Sequence, residues 1–274
     1  MQTGMYLLAA LCTTTGTALG SSPVDFIVDP ALSSIDLTIE VDVGVASDSD
    51  TDSSSLSGIL RVELDDYDNP TQISLHDLQI VIDNDLSFNW SFGFFGSADA
   101  SLTSGAVTWG MTDAFVGPVP IINDFYVLPD VPVAMQGTMA VSYDIFLVGT
   151  GSEVINLADQ GDFFSTIDGT VTTNNGTATL NSTLPIDSTT PLVDGDGNEL
   201  GTLHVTGSAT IVATGIAPSC PPDLTGDGNL DFFDISAFLG AFSSMDPIAD
   251  FDNNGVYNFF DVSAFLGAFT SGCP

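Results

Sequence analysis

The clearest pattern along the chain is a two-residue alternation between Ile35 and Val45. Ile35, Leu37, Ile39, Val41, Val43 and Val45 alternate with Asp36, Thr38, Glu40, Asp42 and Gly44. A period of two sends one set of side chains to a buried face and the other to water, so a half-buried β-strand is predicted. Leu60, Val62 and Leu64 repeat the pattern around Arg61 and Glu63. Ile73–Ile82 alternates with a phase slip near His76 and Asp77, the signature of a bulge. Leu86, Phe88, Trp90, Phe92 and Phe94 alternate again. Further strands are predicted over Met139–Leu147, Ala178–Leu184 and Leu203–Ala213. Turn-forming clusters separate them: Asp48–Ser55, Asp65–Pro70, Asn174-Asn175-Gly176 and Asp194-Gly195-Asp196-Gly197. Asp48, Asp50 and Asp52 read as a solvated acidic loop. No long helical period precedes Pro218, so an antiparallel β-sandwich (or barrel) of roughly ten strands is predicted for this region.

The pattern changes at Pro218. Residues 218–274 hold nine of the 19 phenylalanines and contain an internal repeat. Residues 223–242 read DLTGDGNLDFFDISAFLGAF, and residues 250–269 read DFDNNGVYNFFDVSAFLGAF. Self-similarity this close marks a duplicated unit. Each copy opens with oxygen-bearing side chains at loop positions 1, 3, 5, 9 and 12, a backbone carbonyl at 7 and Gly at 6. That spacing suits calcium, a hard cation that takes six to eight oxygen ligands. In copy one the candidates are Asp223, Thr225, Asp227, the Asn229 carbonyl, Asp231 and Asp234, with Gly228 at the turn. In copy two they are Asp250, Asp252, Asn254, the Val256 carbonyl, Asn258 and Asp261, with Gly255 at the turn. The twelfth position is Asp in both copies, one methylene shorter than the Glu of a sensor loop. Ile235, Phe238, Leu239 and Phe242, and equally Val262, Phe265, Leu266 and Phe269, predict a short amphipathic helix after each loop. Pro221-Pro222 and Pro247 rule out a full helix before it. The fold class is therefore mainly β with a small α module.

Charge narrows the functions available. The chain has 36 acidic residues, of which only Glu40, Glu63, Glu153 and Glu199 are glutamate, against the single basic residue Arg61; the net charge is −35. This excludes a nucleic-acid binder, because nothing could displace counterions from phosphates. It also excludes a P-loop, a Schiff-base lysine and a basic membrane-docking patch. A hydrophobic content of 44% is enough to build a core. Such a surface collects cations.

Catalytic groups are sparse. His76 and His204 are the only histidines, and both read as structural residues of strands. There is no Gly-x-Ser-x-Gly elbow and no histidine cluster with metal spacing. A glycosidase needs only two carboxylates, but no pair stands out among so many. An enzyme is not expected; any activity would be O-glycosyl hydrolysis of polysaccharide. Trp90 and Trp109 read as core residues rather than sugar platforms. Asp194, Asp196 and Asn198 read as a hairpin turn rather than a further calcium site.

Residues 1–20 read as a secretory signal peptide, with an apolar run at Met5–Leu11 and small residues at Ala18-Leu19-Gly20. The run is too short to span a membrane. The expected location is secreted: extracellular or at the cell surface. Cys12 leaves with the leader. Cys220 and Cys273 then favour one disulfide, with free thiols or an intermolecular bridge as the alternatives.

The paired loop–helix units resemble the dockerin type I module of cellulosomal proteins over residues 220–274. More narrowly, they resemble the planctomycete dockerin-like C-terminal domains that end in a Gly-Cys pair, here Gly272-Cys273. With the leader and the strand region read above, this gives a three-part chain: leader 1–20, β-sandwich of unknown ligand 21–217 and dockerin-like domain 218–274, for which the resemblance implies two calcium ions. Its pseudo-twofold helix pair would bring Cys220 and Cys273 together, where a bridge would be worth about 4 kcal/mol on the chain-entropy model. Dockerins bind cohesins, so the implied partner is a cohesin-like or other cell-surface protein. In that family the two residues before the last ligand help choose the partner. Here they are Phe232-Phe233 and Phe259-Phe260, where typical members carry small hydroxyl residues; four aromatics form either an apolar docking patch or the module's own core. The resemblance also admits polysaccharide-binding or polysaccharide-degrading cargo, and a structural envelope protein with a C-terminal sorting tag.

Overall fold

In the computed structural model, residues 22–110, 115–146, 149–193, 199–218 and 220–272 are described. The expected leader, Cys12, Leu147, the expected turn at Asp194–Asn198 and Cys273 lie outside them. The alternating segments become strands β1 (Val24–Val28), β2 (Ser34–Asp42), β3 (Ser47–Leu64), β4 (Gln72–Ile82), β5 (Leu86–Ser91) and β6 (Gly96–Trp109). They continue as β7 (Val116–Pro120), β8 (Phe125–Ile145), β9 (Gly149–Asn156), β10 (Asp162–Asn174), β11 (Thr177–Val193) and β12 (Glu199–Ile216). Helices α1 (Phe232–Ser244) and α2 (Phe259–Ser271) follow. The protein is thus mainly β, with two C-terminal helices.

Every strand pairing is antiparallel, and the path returns on itself. It runs β3–β2–β12–β11–β10–β8–β6–β4 and back to β3. Strand β3 closes the ring by changing partners midway: Ser47–Ser55 pair with β2, and Leu56–Leu64 pair with β4. Strand β1 lies between the second half of β3 and the end of β12. The architecture is therefore the barrel alternative of the sequence reading. Strands this long must bend to close it. Gly58 in β3 and Gly207 in β12 sit at φ +144° and +155°. A Cβ at either would run into a neighbouring strand's carbonyl, that of Gln79 or Asp36. Glycine at such points lets strand backbones approach and turn.

Two apolar clusters line the inside of the ring. One gathers Phe26, Leu60, Val62, Leu75, Tyr126 and Leu180. The other gathers Ile39, Val41, Phe88, Trp90 and Ile145. Trp90 is buried and donates from Nε1 to the Ile39 carbonyl at 2.8 Å, so it is a core residue. The phase slip at His76 is a bulge: Arg61 pairs with Asp77 and Val62 with Leu75, leaving His76 unopposed. The Asn175-Gly176 turn is also as expected, both residues having positive φ.

The Asp48–Ser55 segment is a correction. It is not a loop but the first half of β3. Aspartate is depleted in strands because its carboxylate competes for backbone donors. Here that competition is put to use. Asp48, Asp50 and Asp52 accept the N–H of Ser91, Asn89 and Ser87 in β5 at 2.7, 2.8 and 2.7 Å. With the other oxygen each accepts the N–H of the residue after it at 2.8–2.9 Å. A column of carboxylates replaces the usual backbone ladder between β3 and β5. The alternation of β5 also ends earlier than expected: Phe94 falls in a 3-10 turn and is 87% exposed.

Candidate metal centre

The two helices are built alike. Asp231 caps α1 by accepting the Phe233 N–H at 2.7 Å, and Asp234 reaches back to the Asp231 N–H at 2.9 Å. In α2, Asn258 accepts from Phe260 at 2.8 Å and Asp261 accepts from Asn258 at 2.8 Å. These are reciprocal capping boxes with Asp in place of Glu. Before the second loop, Pro247–Ala249 form only a 3-10 turn, as the prolines require.

The rings between the helices define the module's core. Phe238 and Phe265 stack at 4.1 Å between centroids and 5° between planes. Phe251 meets both edge-on, and Phe242 and Phe269 flank the pair. Matched positions of the two copies therefore face each other. Of the predicted apolar faces, Leu239 and Leu266 are exposed. Ile235, Phe238 and Phe242 from one helix and Val262, Phe265 and Phe269 from the other already fill the interhelical space, and the leucines turn away from it.

In the first loop, Asp223 organises the backbone. Its Oδ1 accepts from Gly226 N at 2.8 Å and its Oδ2 from Gly228 N at 2.8 Å. Asp234 is fully buried and accepts from Thr225 N at 3.0 Å and Thr225 Oγ1 at 2.9 Å. Burial works against its charge. The Asp231 and Thr225 N–H groups and the Thr225 hydroxyl outweigh this and hold the carboxyl below its ordinary value. Asp227 accepts from Asn229 N at 2.9 Å.

The second loop gathers its carboxylates more tightly. Oxygens of Asp250, Asp252 and Asp261 lie within 4.8 Å of one another. Among the described residues this is the only group of three or more His, Cys, Asp or Glu that draws together so closely. Asp261 is fully buried; the Asn258 N–H, then those of Asp252 and Phe251, hold it below its ordinary value against burial. Asp252 is pushed up by desolvation and by the charges of Asp261 and Asp250. The Val256 carbonyl accepts from Asn258 Nδ2 at 2.9 Å, and Asn254 Oδ1 accepts from Val256 N at 2.7 Å. The donor set suits a hard divalent cation: all oxygens, three of them carboxylates, with lone pairs left beyond those the N–H groups use. Copy one has more acidic positions, yet copy two draws three together, because Asp252 stands where Thr225 does.

No protein-family model, curated protein or solved structure matches this chain. Its reading rests on its own residues.

Phe232, Phe233, Phe259 and Phe260 are all exposed, at 66–75%. They form no part of the core, so these rings lie at the surface, with Phe232 and Phe233 meeting edge-on at 6.5 Å. Cys220 is disulfide-bonded, while Cys273 lies outside the described residues. His204 pairs with Asp187 at 3.0 Å in an exposed position.

One polar cluster was missed in the sequence. Buried Glu63 takes a bond from His76 Nε2 at 2.8 Å, and His76 stacks on Phe115 at 4.8 Å. Glu63 Oε1, Tyr67 Oη and Ser74 Oγ are buried without a hydrogen-bond partner. The His76 bulge was the available signal; the Glu63 pairing depends on strand register. No helix among the described residues is long and apolar enough to cross a membrane.

Proposed function

We propose that this chain is an exported protein whose C-terminal repeat binds two calcium ions and docks the strand region to a cell-surface partner. The observation that carries the reading is the convergence of Asp250, Asp252 and Asp261 in a loop whose framework recurs in the first copy. Asp250, Asp252, Asn254, the Val256 carbonyl, Asn258 and Asp261 would hold one ion. Asp223, Thr225, Asp227, the Asn229 carbonyl, Asp231 and Asp234 would hold the other. Bound calcium supplies the positive charge that these carboxylates lack in a chain with one basic residue. The capping boxes tie each loop to its helix, so ordering a loop fixes where that helix begins. The four exposed phenylalanines supply an apolar face of the kind that anchors interfaces, and the partner is a cohesin-like or other surface protein.

Isothermal titration of the full chain with calcium tests the metal step. Two ions per chain are expected, falling to one in Asp250→Ala. Absence of binding above the general ionic background would sink the reading. The docking step is tested by passing envelope extract over the immobilised chain. A partner retained in calcium and released by chelator is expected, and Phe232→Ser with Phe259→Ser should abolish its retention.

A further inference from the structure

The ring of strands is not zipped along its full height. Strands β10 and β11 pair only between Gly169–Asn174 and Thr177–Ser182. Before Gly169, β10 pairs with β8; beyond Ser182, β11 pairs with β12. The two strands therefore part like a V. The space behind them is a cavity of about 470 Å³. That volume falls in the range of natural small-molecule sites, roughly 300–1,000 Å³. Leu60, Leu75, Leu128, Val133 and Ile211 line its walls, and Phe163, Asp168 and Ile186 stand where the strands diverge.

The parting is written into β11. Pro185 and Pro191 lie in the half that has no β10 partner, yet the ladder with β12 runs unbroken from Thr177 to Leu192. An unbroken ladder through two prolines requires that their missing donors face the other side, toward β10. β10 cannot close the seam by ordinary pairing there.

We propose that this cavity binds a neutral, largely aliphatic molecule carrying a hydroxyl, of the long-chain alcohol type. Its walls are aliphatic. The polar feature that suits a hydroxyl is the buried pair Tyr126 Oη and Ser182 Oγ, 2.8 Å apart. Both hydroxyls can donate and accept, so the pair can take a third hydroxyl into its chain. Charge selects against acids. Asp168 lines the cavity. The single basic side chain, Arg61, is exposed and sits in register between Asp25 and Asp77. A carboxylate in the cavity would have no counter-charge and would meet the field of a chain at −35.

The test uses the full chain and the neutral fluorophore N-phenyl-1-naphthylamine. Saturable fluorescence enhancement is expected, with displacement by 1-dodecanol and at least about tenfold weaker displacement by dodecanoate. Ala209→Phe fills the lining and is expected to weaken the fluorophore about tenfold. Tyr126→Phe should weaken dodecanol while sparing the fluorophore, which has no hydroxyl; this keeps the test decisive if Ala209→Phe fails to fold. No saturable binding, equal displacement by dodecanol and dodecanoate, or Tyr126→Phe leaving dodecanol unchanged would overturn the proposal.

Discussion

Two tyrosines show how far burial beside a carboxylate can move a side chain's chemistry. Tyr67 is pushed up to about 12 by burial and by the nearby Glu63 charge. Tyr126 reaches about 12 through burial and the Asp168 charge, despite its bond with Ser182. Both folded values lie above the ordinary 10.0. The stability these neutral phenols contribute is fully present below pH 10 and is lost as pH rises through 12. Ultraviolet titration should find Tyr67 and Tyr126 ionising late, together with Tyr257, which desolvation and the charges of Asp250, Asp246 and Asp261 also push up, and the urea midpoint should fall across that interval. At this scale the sequence was informative wherever a residue's role depended on near neighbours. The bulge at His76 was visible as a slip in alternation. Its bond to Glu63 was not, because that contact exists only once Val62 stands opposite Leu75.

Among elements, β2 and β3 make an instructive pair. β2 was legible because its aliphatic face is continuous. The first half of β3 was not, because its alternating residues are Asp and Ser, which usually mark turns. It is a strand because it pairs with β2 along Ser47–Ser55, and its aspartates are occupied by β5, whose Ser91 lies 43 positions beyond Asp48, a relation no local window contains. The helices were legible from the repeat itself, and their aromatic stack follows from it. The carboxylate column makes a direct prediction. Asp50→Asn puts an amide donor where an N–H donor already points and removes a charge-assisted bond. It should lower stability by about 1–3 kcal/mol, read by urea unfolding. Asp36→Asn, on a side chain bonded only to Ser34, should change little.

At the scale of the whole molecule, charge and an open wall set the behaviour. With a net charge of −35, the folded chain repels itself. Raising salt from 0.01 to 0.15 M shortens the screening length from about 30 to about 8 Å. The thermal midpoint should therefore climb with sodium chloride, and scanning calorimetry at matched pH would show it. The cavity was not legible, because a gap between strands is a property of the closed ring and leaves no periodic trace. The prolines were its faint signal. They also carry a consequence for colloidal fate. The divergence of β10 and β11 exposes raw backbone edges, which in other proteins recruit foreign strands and seed fibrils. A strand approaching β11 would find no donor at Pro185 or Pro191, and it would bring the repulsion of a second heavily acidic chain. The molecule can hold its wall ajar without templating its own polymer. Replacing both prolines with threonine should restore the template, seen as thioflavin-positive aggregate growing with salt.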